Sequence, residues 1–450
     1  MSRFPALAMH AAKWFSPENE SNLLKSVRVL AAIGIARAVL FVSFILLLRN
    51  MGTVQFGAFF LGYNTLAFVP LIADLGIGQT FIRHISFYRT SRPAFAAYLH
   101  RLFFVLKLAT VGILVLVSWP ALPSISRFLN IRSQESLLFI AVIGSGATIM
   151  SDHANAVFQS QCLFRRYELY LLLRNSLFLA ALAVLIAAKR DLLSPSALIL
   201  VIVVINCALA ASAYPFVSRQ WRDRSGRFSE FQSSLIRYSK WLTVSAICFA
   251  LYRRMDIYYL SHFRSSHEVG IYSVAIVIAE PVAMISPALV TVFLPGISAT
   301  PTSDKLRGYT RLIGVVCFLL LGGIALYVTI LRSVFPLLDA EYQQAFPVAA
   351  LLLIGTVLLI GYNMLSLIFI ASDRPDVFGQ IALIMAAFSL TANGLAIPAY
   401  GMLGAASVYG SCQALGIFLA LLHIRKMLRN RSTMAGSDSG TLIASESVIR

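Results

Sequence analysis

The sequence predicts an all-α polytopic membrane protein with about twelve transmembrane helices. Of its 450 residues, 58% are hydrophobic and only 12% are charged. The charges gather in short intervals between apolar runs of roughly 18 to 25 residues, long enough for a helix to cross a hydrocarbon layer about 30 Å thick. The alternation that is typical of membrane strands is absent. Lipid must therefore cover most of the apolar surface, because a soluble core has no use for so much of it.

The apolar runs divide the chain into spans separated by short polar intervals. Charged residues mark most boundaries, and several Trp and Tyr residues stand near them, as is usual where a helix meets the headgroup layer. The predicted spans are residues 28–48, 54–78, 102–121, 136–160, 170–188, 196–217, 241–261, 269–297, 312–332, 346–370, 377–398 and 402–423.

The longest polar interval lies in the middle of the chain and separates six spans from six. Two bundles of equal helix number, joined by a basic linker, suggest two lobes with a site between them, an arrangement that suits alternating access. The predicted segments are a cytoplasmic N-terminal segment (1–27), an N-terminal lobe (28–217), a basic cytoplasmic linker (218–240), a C-terminal lobe (241–424) and a disordered cytoplasmic tail (425–450).

The distribution of Lys and Arg predicts the orientation in the membrane. The net charge is +18, and most basic residues fall in intervals on the side that also holds both termini. Because cytoplasmic intervals are enriched in Lys and Arg, this pattern predicts a multi-pass protein of the cytoplasmic (inner) membrane with both termini in the cytoplasm. The basic intervals are expected to face anionic lipid headgroups, and nucleic acid is not expected as a partner.

Motifs and cysteine spacing argue against several classes of function. The five cysteines stand singly in or beside apolar runs, so neither a disulfide framework nor a metal site is predicted. Phosphate-loop, HExxH and GxSxG motifs are absent, which argues against an ATP-driven pump. The outer intervals are too short for a catalytic domain. We therefore expect no catalytic residues, no cofactor and no enzymatic activity.

Charged residues inside the predicted spans are the strongest functional signal. Each costs about 2.5 to 3.5 kcal/mol on insertion scales, so each needs a partner, a water-filled cavity or a function. Lys107 and Asp74 lie nearer to span ends, where a solvated side chain is the alternative interpretation. The candidates for a cationic, substrate-binding cavity are Arg37, Arg253, Arg254 and Lys107, and the candidates for ion coupling are Glu280, Asp256 and Asp74.

The two adjacent arginines of the seventh span need separate partners. Arg253 and Arg254 point about 100° apart on one helix. Asp256 follows Arg253 by three residues and is placed to pair with it. Arg254 then needs an anion from another helix, and Glu280, at similar depth, is the candidate. The alternative to a cavity wall is a buried structural ion cluster.

Short motifs along the chain carry a family resemblance. In order they are Phe56-Gly57-Ala58-Phe59, Ala73-Asp74-Leu75-Gly76-Ile77-Gly78, Asp256, Val269-Gly270-Ile271-Tyr272, Leu294-Pro295-Gly296-Ile297-Ser298 and the run from Ala396 to Ala406. Together they resemble the polysaccharide exporters of the multidrug, oligosaccharidyl-lipid and polysaccharide exporter superfamily, including O-antigen flippases of the Wzx type. The resemblance implies two six-helix lobes around a central cavity. Depth and charge, and not this resemblance, select Arg37, Arg253 and Arg254.

The resemblance also implies a function, the transport of a lipid-linked oligosaccharide or polysaccharide precursor by alternating access. The glycan would belong to O-antigen, lipopolysaccharide, capsule or exopolysaccharide. The expected partners are an isoprenoid pyrophosphate-linked oligosaccharide, membrane lipids, a proton or sodium ion, and other polysaccharide assembly proteins. Two alternatives are a cation-coupled multidrug exporter of the same superfamily, which would prefer an acidic cavity, and a membrane-embedded glycosyltransferase or ligase.

Overall fold

A computed structural model describes most of the chain, and all regular secondary structure in the described residues is helical, as the sequence predicts. Helices are the expected form because a backbone surrounded by lipid must satisfy its own hydrogen bonds. Most of the predicted N-terminal segment lies outside the described part. The described residues are 17–446 apart from 75–77, 79–80, 83–84, 87, 89–90, 92, 130–134, 189–192, 220–231, 291–292, 294–302, 336–339 and 373.

In the first half of the chain, the described residues include six long helices. They pack mainly against one another, with the fourth helix against the second, third and sixth and the first against the fifth. They are α1 (Pro17–Asn50), α2 (Thr53–Ala73), α3 (Pro93–Phe128), α4 (Glu135–Ser160), α5 (Phe164–Ala188) and α6 (Pro195–Arg219).

The second half contains α7 (Gln232–Phe263), α8 (Ser266–Ala283), α9 (Ser303–Val334), a single turn (Ala340–Gln343), α10 (Ala345–Ala371) and a last helical run, Pro375–Glu446. Gly401 interrupts this run with φ 56° and ψ −135°, a conformation that glycine adopts readily because it has no Cβ. The interruption divides the run into α11 (residues 375–400) and α12 (residues 402–446). These fold back on each other, since the Cys412 thiol donates to the Met385 carbonyl at 3.5 Å.

Ten of the described segments are long and apolar enough to cross a membrane. One of them, Pro375–Arg429, has 55 residues, about 80 Å of helix, and the turn at Gly401 makes it two crossings. α7 is 32 residues long but is not among the ten, because Arg253, Arg254 and Asp256 lower its apolar content. The division of the last segment at Gly401 and the charged residues of α7 account for the difference between ten segments and the predicted number of about twelve transmembrane helices.

Two predicted segments differ from the structure. α6 extends to Arg219 and α7 begins at Gln232, so helices cover both edges of the linker predicted at 218–240; residues 220–231 lie outside the described part. The tail predicted to be disordered, residues 425–450, continues α12 as a helix to Glu446. A helix that is already nucleated in a span propagates into polar sequence without a new nucleation cost.

The two halves of the chain form two lobes that meet mainly along α2, which packs against α7 and α8. Phe56 and Phe59 of α2 are fully buried and belong to the same apolar cluster as Tyr272 of α8. We call the end of the bundle where α1 meets α2 the Thr53 end, and the opposite end the Asp74 end.

Candidate functional site

A cavity of about 600 Å³ lies between the two lobes. The first lobe contributes α1 and α2, and the second contributes α7, α8, the helical segment that continues α8 to Val290, and one side chain of α9. Most of the lining is apolar. The charged residues of the lining are Arg37, Arg254 and Glu280, and its aromatic residues are Phe41, Phe44, Phe60, Tyr63 and Tyr327.

The shape of α8 places Glu280 at this cavity. The helix begins at a capped N-terminus, where the Ser265 hydroxyl accepts a hydrogen bond from the Glu268 amide at 3.3 Å. It ends just after Pro281, which has no amide hydrogen to donate to the preceding turn. The segment that follows continues along the cavity and contributes Pro287. Glu280 therefore lies next to the residue at which the helix lacks a backbone hydrogen bond.

Glu280 is held between arginines from both lobes. Its Oε1 lies 3.8 Å from Arg37 Nη1 of α1, and its Oε2 lies 3.7 Å from Arg253 Nη2 of α7. Arg253 also lies over the Phe249 ring, with its guanidinium carbon 5.6 Å from the ring centroid. The carboxylate therefore bridges the lobes electrostatically, at distances longer than those of a charge-assisted hydrogen bond.

Arg254 is held by a different group. Its Nη1 donates to Asn64 Oδ1 at 3.3 Å, and the Asn64 side-chain amide donates to the Arg254 carbonyl at 3.4 Å. Asn64 is fully buried on α2, so this contact also crosses between the lobes. Within the described part of the chain, Arg254 Nε is buried without a hydrogen-bond partner. A buried donor without a partner is costly.

Asp256 does not pair with Arg253, in contrast to the sequence-based expectation. It accepts a hydrogen bond from the Tyr272 hydroxyl at 2.5 Å and from the Ile257 amide at 2.9 Å. The reason is that Glu280, on the neighbouring helix, takes the partner role for Arg253. Asp256 still borders a smaller cavity of about 40 Å³ that Arg253, Arg254 and Glu280 also line.

Lys107 and Asp74 lie outside both cavities and pair with each other inside the first lobe. Lys107 is 14 residues beyond the start of α3 at Pro93, because that helix begins earlier than the predicted span, and its side chain is only 6% exposed. It therefore does not reach the headgroups as the sequence suggested. The structure brings together Arg37, Arg253, Arg254, Glu280 and Asp256 but not this pair.

We expect Asp74→Ala to destabilise the protein by about 3 kcal/mol, because it removes the carboxylate that forms an ion pair with the buried Lys107 ammonium. Removing both charges with Asp74→Leu and Lys107→Met should restore most of the lost stability. Thermal unfolding of the purified protein measures both effects. An Asp74→Ala variant as stable as the original protein would contradict a structural role for the pair.

The lobes close against each other at the Thr53 end. A Cβ on Gly57 of α2 would overlap the Ser266 carbonyl oxygen and lie 2.7 Å from the Gly270 amide nitrogen. The Thr53 hydroxyl donates to Glu341 Oε2 at 2.6 Å, and the Tyr342 hydroxyl donates to the Met51 carbonyl at 3.3 Å. The large cavity lies on the Asp74 side of this seal.

Sequence reasoning missed Asn64 and the aromatic part of the cavity. Asn64 was detectable, since Tyr63, Asn64 and Thr65 form a polar group inside an otherwise apolar span. Thr65 makes a further contact between the lobes, because its hydroxyl accepts from the Tyr258 hydroxyl at 3.1 Å. Phe41 carries no such signal, because aromatic residues are common on lipid-facing and packed surfaces alike.

Comparisons with known proteins identify one matching family and several solved structures with a similar fold. The model of a family described as polysaccharide biosynthesis protein matches residues 23–300. No curated protein matches the chain significantly by sequence. The solved structure of the lipid II flippase MurJ in an inward closed conformation is similar, with a TM-score of 0.71 and 12% identity over 89% of this chain and 87% of that chain.

Two further structures have the same fold. An inward-facing multidrug resistance MATE family transporter of the MOP superfamily has a TM-score of 0.66 and 13% identity, covering 90% of this chain and 99% of that chain. A MOP superfamily transporter from Pyrococcus furiosus has a TM-score of 0.63 and 13% identity, covering 90% and 95%. Likeness at such low identity shows the two-lobed fold alone. The family match covers more than half of this chain, and ten described segments are long and apolar enough to cross a membrane; the chain is therefore a multi-pass membrane protein that belongs to the polysaccharide biosynthesis protein family.

Proposed function

We propose that this protein is a flippase that moves an isoprenoid pyrophosphate-linked oligosaccharide from the cytoplasmic to the outer leaflet of the inner membrane. The supporting observation is the cavity between the lobes, in which Arg254 keeps a buried guanidinium donor free while Arg37 lies on the opposite wall. A guanidinium suits phosphate, because its planar fork bonds two oxygens at once and it stays charged when partly dehydrated.

The rest of the lining suits the other parts of such a substrate. Tyr63 presents a ring and a hydroxyl, which is the combination that packs against a sugar face and hydrogen-bonds its edge. The two helices that flank the cavity, α1 and α8, make few contacts with each other. We infer that the polar head enters the cavity while the isoprenoid tail stays in lipid along this seam.

Alternating access gives the two ends of the bundle different roles. With both termini in the cytoplasm, as the basic intervals predict, the Thr53 end faces the outside and the cavity is accessible from the cytoplasmic side. The sealed contacts of Thr53, Gly57 and Gly270 would then be those that open to release the substrate outside. The described conformation corresponds to the state that loads substrate.

Glu280 and Asp256 are the proposed coupling carboxylates. Both border the smaller cavity beside the arginines, so a proton or sodium ion bound there would change the charge that the substrate meets. Asp74 is no longer a candidate, because it pairs with Lys107 elsewhere. Surface polysaccharides such as O-antigen, capsule or exopolysaccharide are the proposed destination of the glycan, and other assembly proteins are its proposed partners.

The test is a strain that lacks this gene. We expect loss of the surface polysaccharide and accumulation of its lipid-linked precursor in the cytoplasmic leaflet, because synthesis continues while transfer stops. Precursor accessibility to an impermeant sugar-oxidising reagent in right-side-out and inverted vesicles reports the leaflet, and reintroduction of the gene is the control. Normal polysaccharide in the deletion strain, with altered drug resistance, would point to a multidrug exporter. Sugar-transfer activity of the purified protein would point to a glycosyltransferase.

A further inference from the structure

The carboxylate of Glu280 occupies the place where a substrate anion would meet the arginines. Each of its oxygens faces a different lobe, with Oε1 toward Arg37 and Oε2 toward Arg253. A phosphate group offers the same arrangement, oxygens on opposite sides of one anionic centre. We propose that Glu280 is a resident anion, which fills the arginine site of the empty carrier and is displaced by the phosphate groups of the substrate. This inference rests on the proposed function.

The contacts of Glu280 are suited to exchange. Both arginine pairs are 3.7 to 3.8 Å long, whereas charge-assisted hydrogen bonds between such groups are about 2.7 to 2.9 Å. The Glu280 side chain is 32% exposed to the cavity and that of Arg37 is 47% exposed. A carboxylate that is loosely held and accessible can leave its arginines when a more highly charged anion arrives.

Arg254 provides the first contact for the incoming anion. The structure gives it no ion pair with Glu280 among the described residues, and Asn64 fixes its guanidinium from the opposite lobe. A phosphate bound at Arg254 would stand beside Glu280, since both residues line both cavities. The repulsion between the two anions then favours the departure of Glu280 from Arg37 and Arg253.

This exchange would link substrate binding to movement of the lobes. In the empty carrier Glu280 attracts Arg37 of the first lobe and Arg253 of the second, which opposes separation of α1 from α7 and α8. Once phosphate replaces the carboxylate, that attraction passes to the substrate. The Glu280 carboxylate therefore bridges the lobes in the carrier without substrate, and the phosphate bridges them in the carrier with substrate. This difference gives a physical reason why the conformational change depends on substrate binding.

The test compares binding of geranyl pyrophosphate, a short isoprenoid pyrophosphate, to the purified full-length protein in lipid nanodiscs. We expect Glu280→Gln to bind about tenfold more tightly than the original protein, because a competing charge is gone. Glu280→Asp keeps the charge and should bind like the original. Glu268→Gln is the matched control, since Glu268 lies on the same helix outside both cavities. Arg254→Gln should weaken binding with or without Glu280→Gln.

The outcomes separate this inference from the proposed function. If Arg254→Gln weakens binding but Glu280→Gln binds as the original protein does, or more weakly, the cavity takes pyrophosphate and Glu280 is not its competitor. If none of the variants binds geranyl pyrophosphate better than geraniol, the proposed function fails and this inference with it. Should Glu280→Gln not fold, Glu280→Ala provides the same comparison, and size-exclusion profiles of all variants establish that folding is intact.

Discussion

Replacement of Arg254 by glutamine is expected to abolish surface polysaccharide while leaving the protein in the membrane at its normal level. The Nε of this guanidinium is buried and has no hydrogen-bond partner in the described structure, so a bound phosphate oxygen would supply the missing acceptor. Loss of a buried, hydrogen-bonded charge pair costs about 3 kcal/mol, on the order of a hundredfold in affinity. Complementation of a deletion strain, with immunoblots for protein amount, measures the effect.

Two controls make the Arg254 result specific. Arg332→Gln removes an exposed arginine in the last turn of α9, outside the cavities, and should leave export intact. Arg254→Lys keeps the charge but loses the planar fork, and we expect it to restore only part of the export. Full export by Arg254→Gln at normal protein levels would remove this residue from the substrate site.

The overall fold was accessible from the sequence because the bilayer imposes it. Apolar runs of sufficient length must become helices. The position of the boundary between the two lobes, at the polar middle of the chain, stays a prediction. The boundaries were less accessible. α3 begins at Pro93, well before the predicted span at 102, because a helix does not need to end where the apolar residues end.

The pairing of charges was less predictable than their depth. Hydropathy and spacing placed Arg253, Arg254 and Glu280 at similar depth, and all three line the smaller cavity. The partners depend on how helices of different lobes rotate against each other, which spacing within one helix does not encode. Arg253 thus pairs with Glu280 and not with Asp256, and Arg37 reaches Glu280 from the other lobe.

Replacement of Gly57 by alanine is expected to prevent the Thr53 end from closing and so to stop transport. A Cβ at Gly57 would overlap the Ser266 carbonyl oxygen and would lie 3.1 Å from the Gly270 Cα. The neighbour is backbone, so no side-chain rotation relieves the overlap, and α2 must move away from α8. The same steric conflict arises at Gly270 on the facing helix, where an added Cβ would overlap the Thr53 carbonyl oxygen.

The size of the Gly57 effect follows from the energetics of alternating access. An added group in a tight contact typically costs about 1 to 3 kcal/mol, and the two states of such a transporter differ by a few kcal/mol. The substitution is therefore large enough to shift the population toward the state with the Thr53 end open. Spin labels at the exposed positions Val54 and Gln343, one in each lobe, should show a longer distance in Gly57→Ala than in the original protein.

Gly112→Ala is the matched control for this experiment, because Gly112 lies on α3 and its Cβ would meet no atom within 4 Å. Both substitutions replace glycine by a better helix former, so any gain in helix stability is common to them. Only the variant at the lobe contact should lengthen the distance and lose export. A Gly57→Ala protein with an unchanged distance and full export would mean that the contact of α2 with α8 does not have to reform in the transport cycle, which would remove the Thr53 end as a gate.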